Sequence, residues 1–239
     1  MTAHPLTYKP FGTTALLIEW PARIDEAILR DILAMDRMVR AADDVLDTVI
    51  AYHSLTVRYA SAIDHEAEVA RWTSAFESGS VPEPAPSTCW QVPVCYDPGC
   101  APDLRDLARS RGLSIAEVIE LHTAPRYLVH FIGFQPGFLY LGGLDDRIHI
   151  PRRRTPRVRV PSGSVGIGGG QTGIYPHEGP GGWTLIGRTP LRLFDVRRDP
   201  PCFAQAGDRV RFRPIDRATF HRIDREVRAG HFEIIAEDA

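Results

Sequence analysis

Between Gly133 and Gly187 the chain carries Gln135, Arg152, Arg157, Ser162, Gln171, Thr172, Tyr175 and His177, in a run that also holds fourteen of its 20 glycines. These residue types bind and orient more readily than they attack. Guanidinium groups match carboxylates and phosphates bidentately, so arginines of this run suit an anionic substrate. Gln135 lies between Phe134 and Phe138 and can both donate and accept, as an amide ligand requires. The segment GGGQTGIYPHEGPGGW predicts a loop that presents Gln171, Thr172 and Tyr175 beside glycine N–H groups able to cradle an oxyanion. His177, followed by Glu178, is the acid/base candidate of that loop. His122, just ahead of the Pro125 turn, is a second candidate; its plainer reading is a favourable interaction with a helix C-terminus. The wider arginine run, Arg147 to Arg159, also fits a solvated strand face, with Arg157 and Arg159 opposite Val158 and Val160.

Several chemistries are set aside by what is missing. Ser162 and Ser164 stand in PSGS without the G-x-S-x-G elbow of a serine nucleophile. GIGGGQTG has no lysine beside it, and Lys9 is the only lysine in the chain. It is therefore not a nucleotide-binding P-loop, and any ATP must be held differently or by another subunit. Cys89, Cys95, Cys100 and Cys202 form no C-x-x-C pair and no finger spacing, which predicts reduced, structural thiols and no metal site. A net charge of -2 and a pI near 6.5 give no global attraction to nucleic acid or acidic membranes. Charge or proline interrupts every apolar run before it could span a bilayer. The N-terminus lacks the basic, apolar and small-residue sequence of a secretory signal, so the expected compartment is the cytoplasm.

Two blocks must position these residues, 1–88 and 89–239. In the first, Ala15 to Trp20 reads as a strand, Ile24 to Met35 shows helical spacing, Val45–Ala51 and Leu55–Tyr59 read as paired strands, and Ile63–Phe76 returns to helix. With Trp90–Tyr96 as a last strand, that order suits a ferredoxin-like α/β sandwich. Gly79–Ser87 reads as a linker. In the second block, Asp103 is a candidate N-cap for a helix ended by Gly112, and Ser114 with Glu117 forms a capping box. From Tyr127 onward short apolar segments between Gly/Pro turns, Leu191–Val196 among them, predict strands of an antiparallel barrel or sandwich without long helices, with a final strand at His231–Ile235.

The motifs GFQPGFLYL (Gly133–Leu141), PRRRTPRVRVPSGSVGI (Pro151–Ile167), GGQTGIYP (Gly169–Pro176) and PGGWTLIGRTP (Pro180–Pro190) resemble the KipI or allophanate-hydrolase-subunit-1 family, of the carboxyltransferase C/D-subdomain type. Thr13 after Gly12 and Gly179 before PGGW depart from the Asp and Ser commoner in that family. The resemblance implies an α+β chain, a ferredoxin-like domain followed by a cyclophilin-like β-barrel. It implies a non-autonomous subunit of an ATP-dependent 5-oxoprolinase, acting with a C-type carboxyltransferase-like subunit and an A-type subunit to open the lactam of 5-oxoproline to glutamate. The family also holds components of urea carboxylase and allophanate-hydrolase-type carboxyltransferases, and KipI-like inhibitors of sensor histidine kinases. Under the first reading Gln135, Arg152, Arg157, Ser162, Thr172 and Tyr175 bind substrate, and His122, Gln171 and His177 assist catalysis.

Overall fold

The computed structural model describes residues 4–78 and 86–238. The chain divides into two compact units, Met1–Pro86 and Ser87–Ala239. The expected linker at Gly79–Ser87 lies, up to residue 85, outside the described residues.

The first unit contains β1 (Thr7–Pro10), β2 (Ala15–Glu19), α1 (Glu26–Arg40), β3 (Val45–Ile50), β4 (Ser54–Tyr59) and α2 (His65–Glu77). Asp25 caps α1 by accepting from the Ala27 N–H at 2.8 Å, and Ile28, Ile32, Met35 and Val39 then recur on one buried face. That face packs with Leu16, Ile18, Leu55 and Val57 of the sheet and with Trp72 and Phe76 of α2. The sheet order is β1-β2-β4-β3, with every neighbour antiparallel. Strands β2 and β3, joined through α1, therefore run the same way with β4 between them, the split β-α-β of a ferredoxin-like sandwich. The fourth strand is not the expected Trp90–Tyr96 segment. β1 takes that edge, pairing Tyr8 with Ile18.

The second unit contains β5 (Thr88–Cys95), α3 (Leu104–Arg111), α4 (Ile115–Thr123), β6 (Tyr127–Ile132), β7 (Leu139–Gly142), β8 (Arg157–Val160), β9 (Ser164–Gly168), β10 (Gln171–Ile174), β11 (Gly179–Gly181), β12 (Thr184–Arg188), β13 (Arg209–Ile215), α5 (Arg217–Ala229) and β14 (Ile235–Asp238). Seven strands form a closed barrel in the order β12-β9-β10-β7-β6-β13-β5, sealed where Arg188 of β12 pairs with Cys95 of β5. Burial explains why Trp90 belongs here: Gln91 to Cys95 are buried without a break, as a barrel strand requires and an edge strand of a two-layer sandwich does not. The barrel is not wholly antiparallel, because β5 and β13 run in parallel. Its interior is filled by Val92, Val129, Leu139, Leu141, Val165, Ile167, Ile174, Ile186 and Phe212.

Three further expectations are corrected. A thirteen-residue helix, α5, follows β13, capped by Asp216 at one end and Gly230 at the other. Leu191–Val196 is not a strand and makes only an isolated bridge, Phe194 to Cys202. The last strand begins at Ile235, not His231. Among the described residues no helix is long and apolar enough to cross a membrane.

Candidate functional site

Strand alternation sorts the aromatics of the glycine-rich run onto the outside of the barrel. Leu139 and Leu141 of β7 face the interior, so Phe138 and Tyr140 face out, where Phe138 joins Tyr175, Trp183, Val160 and Leu185 in a second, smaller core. Glycines form the floor of this core. A Cβ added at Gly168 would stand 2.5 Å from Trp183 Nε1, and one at Gly173 would stand 3.1 Å from Trp183 Cζ3 and 3.2 Å from Phe138 Cζ. The indole thus rests directly on the β9–β10 hairpin. A ribbon of β8 and β11 forms a separate two-stranded sheet, pairing Val160 with Gly179 and Arg157 with Gly181.

Arginines border this aromatic core. The Arg152 guanidinium lies 5.6 Å from the centre of the Trp183 ring. Both Arg152 and Arg157 are close enough to Tyr175 to favour its phenolate, although burial dominates and raises its pKa. Arg157 is 24% exposed and donates from Nη2 to Asp103 Oδ1 at 2.5 Å. Its other terminal nitrogen, Nη1, is buried with no hydrogen-bond partner. Val160 is buried while Val158 is 90% exposed, so only the Val160 end of β8 is covered.

Gln135 sits in a strained turn between β6 and β7. Phe134 has a φ of 64° and is 67% exposed, and Gly137 has a φ of 84°. Gln135 Nε2 lies 3.0 Å from where a Cβ of Gly179 would be, so glycine at this position makes room for the amide. Its Oε1 is buried and accepts no hydrogen bond. Gln135 and Arg157 thus contribute an unused acceptor and an unused donor.

The other expected residues have partners of their own. His122 is fully buried, with Nδ1 2.8 Å from Tyr96 Oη, Nε2 2.9 Å from Thr172 Oγ1, and its ring stacked on Phe212 at 4.5 Å. Burial pushes its pKa down to about 3. His122 and Thr172 are therefore a couple inside the barrel, buried away from solvent and from the arginines and Gln135. A neutral imidazole also leaves no charge to complement the helix C-terminus. Gln171–Ile174 is a strand between β9 and β7, not a loop, and the Gly169 N–H donates to Ile150 O at 2.7 Å. The sheet takes up the amides expected to cradle an oxyanion. Ser162 Oγ donates to Pro176 O at 2.7 Å, tying the end of β8 to the segment after β10. His177 is exposed, edge-on to Phe194 at 6.2 Å, while Glu178 pairs with Arg159 at 2.7 Å.

Asp103 stands where the sequence places it, but its side chain has a partner that the sequence does not show. It occupies the N-cap position of α3 but makes no capping hydrogen bond. Its carboxylate instead takes Arg157 and the Leu185 N–H at 2.7 Å, with Arg153 Nη1 at 3.7 Å. No local sequence signal distinguishes such a cap from an ordinary one. Among the described residues no group of three or more His, Cys, Asp or Glu side chains could hold a metal ion. A hollow of about 760 Å³ lined by Tyr96, Leu104, Ile115, Ile119 and Ile215 contains none of the expected site residues.

The outer-face site therefore offers guanidinium groups, an amide and aromatic surface, and no nucleophile with an adjacent base. The pattern of the carboxyltransferase domain, subdomain C and D, matches residues 6–204. The chain belongs to this family. Within it, the 5-oxoprolinase B subunit of Escherichia coli O157:H7 is 41% identical over 207 residues, 85% of this chain and 93% of that protein. The protein of the same name from Haemophilus influenzae is 38% identical over 203 residues, 85% of this chain and 95% of that one. The crystal structure of Kluyveromyces lactis urea carboxylase shares the fold, with a TM-score of 0.77 at 20% identity, across 99% of this chain and 24% of that protein.

Proposed function

We propose that this carboxyltransferase-family chain is the B-type component of an ATP-dependent 5-oxoprolinase, working with C-type and A-type subunits to convert 5-oxoproline to glutamate. The observation that carries the reading is the 41% identity to a 5-oxoprolinase B subunit over 93% of that protein's length. The chemistry of the site supports it. Arg152 and Arg157 suit the carboxylate of 5-oxoproline, and the open acceptor of Gln135 suits a lactam N–H. Attack on the lactam needs a nucleophile and base that this site does not present, so the partner subunits supply them.

ATP, whose phosphoryl group would give the lactam oxygen a leaving tendency it lacks, does not fit the glycine run of this chain. The β9–β10 amides are bonded within the sheet, and Lys9 pairs with Glu19 in the first unit. In this reading the assembled complex holds the nucleotide. The carboxyl-transfer reading has more distant support, a urea amidolyase of Lachancea kluyveri 26% identical over 208 residues, 82% of this chain and 11% of that protein.

Co-expression with the C-type and A-type subunits tests the proposal. A stable complex with an interface of roughly 1,600 Å² or more, and ADP release that depends on 5-oxoproline, are expected. Independent elution of the subunits on size exclusion, or ADP release indifferent to 5-oxoproline, would overturn it.

A further inference from the structure

Helix α3 begins without the cap its sequence provides. Asp103 is followed by a helix whose first turn has free N–H groups, and an aspartate there ordinarily accepts from one of them. Here the carboxylate turns away. Oδ2 accepts from the Leu185 N–H at 2.7 Å, while the Asp103 N–H donates to Leu185 O at 3.0 Å, so the residue is clamped to β12 on both sides. Oδ1 accepts from Arg157 Nη2 at 2.5 Å and has Arg153 Nη1 at 3.7 Å. The Asp103 side chain is only 11% exposed. A local rule broken at one residue, with the side chain diverted to another element, marks a functional constraint more often than an accident of packing.

The consequence for Arg157 is specific. One end of its guanidinium is fixed, and the other end, Nη1, is left buried and unsatisfied. We infer that Asp103 is a positioning residue for anion binding: it holds the partly exposed Arg157 guanidinium in the orientation that meets the carboxylate of the substrate. This rests on the functional reading above and adds to it a residue that does not touch substrate.

Charge alone and positioning predict opposite signs. Asp103 brings a negative charge beside the anion-binding arginine, so Asp103→Asn should tighten binding if charge were all that mattered. If positioning governs, Asp103→Asn frees Arg157 to rotate and weakens binding, even though asparagine can still accept from the Leu185 N–H. The measurement is kcat and KM for 5-oxoproline in the reconstituted complex, for Asp103→Asn, Arg157→Ala and the double variant. We expect KM to rise on the order of tenfold in Asp103→Asn with kcat little changed, and the double variant to match Arg157→Ala alone. A lowered KM, or effects that multiply in the double variant, would overturn the inference.

A second measurement does not depend on turnover. In the isolated chain labelled with ¹⁵N-arginine, hindered rotation should give Arg157 resolved Nη proton signals in the wild type and averaged signals in Asp103→Asn. Averaged signals in both would refute positioning. A wild-type complex that does not turn over 5-oxoproline would overturn the function and leave the guanidinium signals to decide the role of Asp103.

Discussion

His122 Nε2 donates to Thr172 Oγ1 inside the barrel, because the Thr172 hydroxyl spends its single proton on Gly166 O at 3.2 Å. Tyr96 Oη must then donate to His122 Nδ1, giving an internal chain with no proton to spare. The imidazole stays neutral down to about pH 3 in the folded state, against an ordinary value of 6.5. Its contribution to stability is therefore complete above pH 6.5, where the unfolded chain is also neutral, and is lost as the pH falls toward 3 and only the unfolded chain takes up the proton. This one group gives a slope of up to about 1.4 kcal/mol per pH unit across that window. Urea unfolding between pH 7.5 and pH 4.5 should show a slope shallower by one proton in His122→Gln. A His122 resonance titrating near 6.5 in the folded chain would contradict the assignment.

Gly168→Ala places a methyl group where the Trp183 indole lies, 2.5 Å from Nε1 and 2.6 Å from Cε2. The rigid ring has to lift off the hairpin and take its contact with Arg152 with it. Overpacking of this kind costs about 1–3 kcal/mol. Thermal melting and tryptophan fluorescence of the purified chain read both effects, and an unchanged emission spectrum with an unchanged melting temperature would rule out the glycine floor.

Arg152 and Arg154 are both exposed, and only Arg152 stands over the aromatic core. Arg152→Ala in the assembled complex should lower kcat/KM on the order of tenfold with the melting temperature unchanged, while Arg154→Ala stays near wild type. Arg157→Ala is a less clean probe, since it also strips the partly shielded Asp103 of its ion pair and should lower stability as well as activity. Equal activities for Arg152→Ala and Arg154→Ala would remove Arg152 from the site.

The amides of the β9–β10 hairpin are bonded within the sheet, so the isolated chain should show neither tight ATP binding nor ATPase activity. Titration calorimetry on the chain alone checks this. A dissociation constant in the low micromolar range would mean that a nucleotide site lies elsewhere on this chain.

What could be read in the sequence was local. Ser114 and Glu117 form the expected capping box, with the Ser114 N–H donating to Glu117 at 2.7 Å, and Gly112 ends α3 with a φ of 65°. The signals of α5 were equally local, with Asp216, then Phe220, Ile223 and Val227 at helical spacing, then Gly230, but six interspersed charges disguised its apolar face. Partner choice was not legible. Nothing in Trp90–Tyr96 says which sheet it joins, and nothing in Asp103 says that its carboxylate will reach β12 and Arg157, 54 residues away, in place of its own helix. Likewise Thr172 reads as a loop residue until β7 arrives to pair with it at Leu141.

The substitution of β1 for a C-terminal edge strand in the first unit has a bearing on how the protein is made. Every strand and helix of that unit lies within Thr7–Glu77, and its sheet borrows nothing from later in the chain. The barrel, by contrast, joins β5 near its start to β13 and β14 near its end. During synthesis on the ribosome the N-terminal sandwich can close as soon as α2 emerges, while β5 must wait more than a hundred residues for its parallel neighbour. Truncations within the last strands should therefore leave a folded first unit attached to an open, aggregation-prone half barrel.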